Sequence, residues 1–140
     1  MLCTPRGSSS SMAVRRIHDE DGTAAWDRWL SETASGRRPA REDTALAVRY
    51  TLQRIADDSP GASVEVRVIP FGATQIIAGA THRRGTPPAV VEMDATTWLK
   101  LASGLQLWAD AIESGHVDAS GERADLDSLL PLARSNGGDA

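Results

Sequence analysis

Apolar and polar residues recur along this chain with two distinct periods, and the changes of period mark out its elements. Trp26, Trp29, Leu30 and Thr33 fall three and four apart, which predicts a helix from about Glu20 with two indoles and a leucine on one face. Gly36 and Pro39 end it. A second helix is expected from about Glu42 to Asp57, with Ala45, Val48, Leu52, Ile55 and Ala56 as its apolar stripe and Arg49, Gln53 and Arg54 facing away. Ser59, Pro60 and Gly61 stop that helix. The period then drops to two: Val64, Val66 and Val68 alternate with Glu65 and Arg67, the pattern of a strand with one buried face.

After Pro70 and Gly72 a second strand is predicted over about 74–78, and a third over 89–93 beyond the loop 82–88. The short link between the first two suggests an antiparallel meander. Asp94 is placed to cap a helix carrying Trp98, Leu101 and Ala102, which Gly104 breaks before a further helix over 105–113. A short strand over 116–119, a Ser120-Gly121 turn and a last helix over 125–132 complete the order. Two helices, a run of strands, then helices around one more strand predict an α+β domain with helices packed on one side of a mainly antiparallel sheet.

Composition narrows the partners. The chain has 140 residues, 41% of them hydrophobic and 24% charged, with a net charge of −4. That is the size and make-up of one globular domain. Residues 1–18 are rich in serine without an apolar period and are expected to be a disordered leader; 19–132 is the expected domain and 133–140 a disordered tail. The basic residues are dispersed and the balance is acidic, which disfavours nucleic acid. No apolar run approaches the roughly 18 residues needed to span a bilayer, so stable membrane insertion is not expected. The lone Cys3 excludes a disulfide framework within the chain and fits a reducing cytoplasm.

The stretch from Asp94 to Leu132 carries a specific pattern: Asp94, Trp98, Leu101, Gly104, Ala111, Ser114-Gly115, Val117, Gly121, Leu126 and Leu129. This resembles the sterol carrier protein type 2 family. The stretch from Val64 through Arg84-Gly85-Thr86-Pro87-Pro88 to Trp98 is similar to its short actinobacterial branch, the bacterial sterol carrier orthologues. With the preceding helices the resemblance covers about Ala24 to Leu132. It implies a sheet of about five strands covered by helices and enclosing an apolar tunnel for acyl chains, sterols or similar lipids. It implies a non-enzymatic protein without a cofactor. Asp118 departs from the basic or apolar residues usual in the family's last strand, whereas Glu122 fits its pattern.

A carrier needs a dry concave site rather than a catalytic group. Val66, Val68, Ile76, Val91, Met93, Trp98, Leu101, Leu105, Trp108, Ile112, Leu126 and Leu130 are the apolar positions expected between sheet and helices. Two readings of them stay open. Either they line a ligand site, or they fill one another's space as solid core and leave an accessory domain that binds a protein partner. Arg83 and Arg84, beside the prolines of the loop, are candidates to hold an anionic head group, or else belong to a solvated turn. His116 and Asp118, two apart in a strand, point the same way but are too few for a metal site. No serine sits in a nucleophile elbow and no glycine-rich phosphate loop opens a helix.

Overall fold

Glu65 and Arg67 between buried valines place one face of a strand against a core, and the rest of the molecule is arranged around that strand. The computed structural model describes residues 16–76, 89–120 and 126–133. The expected leader up to residue 15, the tail from 134 and the whole loop 82–88 lie outside them. Helices α1 (Asp19–Ala34) and α2 (Arg41–Asp58) precede β1 (Pro60–Ile69) and β2 (Gly72–Ile76). They are followed by β3 (Ala89–Asp94), α3 (Ala95–Ser103), α4 (Trp108–Glu113) and β4 (Val117–Ser120), and a short 3-10 turn spans Asp127–Leu129.

The sheet has four strands among the described residues, in the order β2-β1-β3-β4. Two of its three pairings are antiparallel, in keeping with the mainly antiparallel sheet expected, but the parallel pairing of β1 with β3 makes it mixed and corrects the simple meander. β1 and β2 form the antiparallel hairpin anticipated, but β3 returns to the other side of β1 and runs parallel to it, with Val66 opposite Val91 and Val68 opposite Met93. β4 then adds antiparallel to β3. The architecture remains α+β, with α2 and α3 on the inner face.

α2 is the central helix. Val48, Leu52 and Ile55 are buried as its stripe predicts, and Ala47, Tyr50 and Thr51 are buried as well because α1 packs on the adjoining side. Gly22 allows that approach: a Cβ there would overlap the Tyr50 ring. The Tyr50 hydroxyl donates to Asp19 Oδ1 at 2.9 Å. The segment before α1 is tied down too. Ile17 exchanges two backbone hydrogen bonds with the Gln53 side chain, at 3.0 and 2.9 Å, and Arg16 pairs with Asp57. Gln53 and Arg54 therefore do not simply face away.

Asp94 caps α3 as its position suggested, its carboxylate accepting the Thr97 N–H at 2.8 Å. The other end closes through Gly104, at φ 82°, with the Leu105 N–H donating to Lys100 O at 2.8 Å. Because that N–H terminates α3, Leu105 does not begin a new helix, and α4 starts only at Trp108. Likewise no helix runs over 126–132. Pro131 has no N–H to give and would clash with the preceding turn, so only the three-residue 3-10 turn forms.

Candidate functional site

The inner face of β1 and β3 is apolar in register. Val64 lies opposite Ala89, Val66 opposite Val91, and Val68 opposite Met93. β4 extends two of these rows, with Val117, which is buried, and Ala119, which is exposed. Trp98, Leu99, Leu101 and Ala102 of α3 are buried in the same core, and Leu126 joins them. Of the twelve positions expected between sheet and helices, Val66, Val68, Ile76, Val91, Met93, Trp98, Leu101, Trp108 and Leu126 are buried. Leu130 is half-buried against the core. Leu105 and Ile112 are placed differently: they are 58% and 39% exposed, in a stretch that also exposes Leu107. Leu105 is turned out by the closure of α3, and Ile112 by the single-sided packing of the six-residue α4 through Trp108 and Ala111.

Two indoles are fixed by polar partners inside this core. Trp98 Nε1 donates to Thr51 Oγ1 at 2.7 Å, and the Thr51 hydroxyl lies 2.7 Å from Ala47 O, to which it donates. Trp26 Nε1 donates to Ser103 Oγ at 2.9 Å, which joins α1 to the end of α3. Both pairings satisfy donors whose burial would otherwise cost about 1–3 kcal/mol each. Sequence reasoning passed over Thr51, although a threonine flanked by buried Tyr50 and Leu52 on a core helix is the signal of a buried polar partner.

Arg54 was missed as well. Its Nη2 donates to Ala133 O at 2.5 Å, and its guanidinium lies 5.9 Å from the Tyr50 ring centroid. Nη1 is buried with no hydrogen-bond partner. The nearby Asp57 carboxylate is committed to Arg16, with contacts of 3.3 and 2.7 Å. That hydrogen bond, more than the charge of either arginine, holds the Asp57 carboxyl below its ordinary range.

A surface groove of about 510 Å³ lies apart from the sheet, between α1 and α2, lined by Arg16, Ile17, His18, Asp21, Ala24, Arg28 and Leu46. Its two arginines are bound to carboxylates, Arg16 to Asp57 and Arg28 to Asp43 at 2.9 Å. His116 and Asp118 are both exposed, and His116 Nδ1 lies 3.1 Å from Ser114 Oγ and 3.3 Å from Gln106 Nε2. Among the described residues no three His, Cys, Asp or Glu side chains gather as a metal set would require. No described helix is long and apolar enough to cross a membrane. Arg83 and Arg84 fall outside the described residues.

Residues 40–132 match a family model described as bacterial SCP ortholog. The match takes in α2, the sheet, α3, α4 and the segment that follows β4, but not α1. A search of curated proteins gives no match.

Proposed function

Since the chain belongs to the bacterial SCP ortholog family, we propose that it binds a lipid or other hydrophobic small molecule between its sheet and its helices, without catalysing a reaction. The observation that carries this reading is the inner face of β1 and β3, continued by Val117 of β4, where every inward position in register is apolar and buried. Such a surface gains about 25 cal/mol for each Å² of apolar contact removed from water, so an acyl chain of modest length suffices for micromolar affinity. The ligand lies against Val66, Val68, Val91 and Met93 on the sheet side and against Trp98, Leu101 and Leu126 on the other. Arg83 and Arg84, which precede β3 in the sequence, are head-group candidates. The protein acts in the cytoplasm under this reading.

Native mass spectrometry of the purified protein, with extraction of bound lipid, and titration with a fluorescent fatty acid test the proposal. We expect a co-purifying hydrophobic ligand or retention of the probe at micromolar concentration. Absence of both overturns it. Trp98→Ala and Trp108→Ala should weaken retention at temperatures where the variants remain folded.

A second reading is favoured by the anchoring of the indoles. Trp98 and Trp26 are fully buried and each held by a hydrogen bond, as in a core that fills its own volume. In that case the domain is an accessory module that recognises a protein, and Trp98→Ala lowers stability and any retention in parallel.

A further inference from the structure

Arg54 carries a charged donor without an acceptor at the edge of the core. Its guanidinium lies between the ring of Tyr50, which is fully buried, and the main chain at Ala133. Leu132, the residue before, is buried, and its N–H donates to Ala102 O of α3 at 3.0 Å. The cation therefore sits on the seam where α2, α3 and the segment carrying Leu126 and Leu130 meet. Two of its attachments fix its orientation: the hydrogen bond from Nη2 to Ala133 O and the contact with the Tyr50 face. Nη1 remains, a buried donor on a permanently charged group with no hydrogen-bond partner.

Such a donor is costly. A guanidinium cannot shed its proton to escape burial, and a charged group removed from water without an acceptor loses more than a neutral one would. Asp57 on the same helix does not relieve it: its carboxylate oxygens accept from Arg16, and none accepts from Nη1. An anionic oxygen, by contrast, forms a short, charge-assisted bond with an N–H held in place. We propose that Arg54 is the anchor for the anionic head of the ligand, a carboxylate or phosphate monoester, and that the protein thereby selects acidic amphipaths over neutral ones of the same chain length. This rests on the hydrophobic-ligand reading above and narrows its ligand class.

The test compares a fatty acid, the corresponding fatty alcohol and the corresponding alkyl phosphate in competition with a fluorescent fatty-acid probe, for the full chain and for Arg54→Gln and Arg54→Lys. The unaltered protein should bind the acid or the alkyl phosphate about tenfold or more tightly than the alcohol, the scale of one charge-assisted hydrogen bond. Which of the two binds more tightly identifies the head group. Arg54→Gln should bring the acidic ligands down to the affinity of the alcohol and leave the alcohol unchanged, which also reports that the apolar site is intact. Arg54→Lys should retain part of the preference. Equal affinity for acid and alcohol in the unaltered protein overturns the proposal, as does an equal loss of both in Arg54→Gln. If no amphipath binds, the hydrophobic-ligand reading fails by itself. The anchor is then judged by inorganic phosphate, which should raise the melting temperature of the unaltered protein and not that of Arg54→Gln; no difference between them overturns it.

Discussion

Gly22→Ala sets two effects of opposite sign against each other. In an exposed helix interior the change would stabilise by about 1 kcal/mol, because glycine has more backbone freedom to lose. Here the added methyl would overlap Cγ and both Cδ atoms of Tyr50. That ring cannot step aside freely: it is fully buried and its hydroxyl is bonded to Asp19. Overpacking of this kind costs about 1–3 kcal/mol, and displacing the ring adds about 1 kcal/mol for the Tyr50 to Asp19 hydrogen bond. The contact wins, with a net destabilisation of about 2 kcal/mol, or a fall in melting temperature of about 6–10 °C for a domain of this size. Urea denaturation of Gly22→Ala alone and in a Tyr50→Ala background measures it. With the ring removed, the same methyl should be neutral or stabilising. If Gly22→Ala is as stable as the original, or costs the same in both backgrounds, the account of how α1 meets α2 is wrong.

Thr51→Val leaves the Trp98 indole N–H buried without its acceptor and should cost about 1–3 kcal/mol. Combined with Trp98→Phe in a double-mutant cycle, it should cost clearly less than the two changes summed, whereas additivity within about 0.5 kcal/mol would deny the coupling. Asp94→Ala removes the cap on α3 and should lower unfolding free energy by about 1 kcal/mol, with Asp94→Asn nearly neutral. The hydrogen bond from Arg16 depresses the Asp57 pKa on folding, so its stabilising effect is present above the ordinary carboxylate pKa of about 3.9 and is lost as pH falls through the lower folded value. Asp57→Asn should therefore show a smaller fall in melting temperature between pH 7 and pH 3 than the unaltered protein, by a modest amount because the pair is exposed.

The helices α1 and α2, the valine strand β1 and the Asp94 cap were legible because each is specified within a short window by period and punctuation. Pairing between strands is not. A hairpin-length link correctly joined β1 to β2, but nothing near Ala89 announces that β3 will lie parallel to β1 rather than beside β2. That choice is made by how helices cover the inner face. The stretch over 105–113 misled because three exposed leucines and isoleucines resemble an amphipathic stripe, while Gly104 and the closure of α3 decide where Leu105 points. Pro131 was a readable objection to a helix over 125–132. For the candidate site, the apolar rows were visible as alternation, but the polar partners within reach of them were not. Thr51 and Arg54 acquire their roles only from Trp98 and Ala133, 47 and 79 residues away.

Among the described residues the sheet ends on one side with a four-residue strand whose residues after Val117 are all exposed, among them Asp118 opposite Glu92 of β3. Two carboxylates side by side weaken the pairing slightly. They also make this border inhospitable to a second molecule, since a newcomer aligning its backbone there would meet repelling charge and too few rungs to grip. A protein with such an oily interior thereby guards its open flank against edgewise self-association.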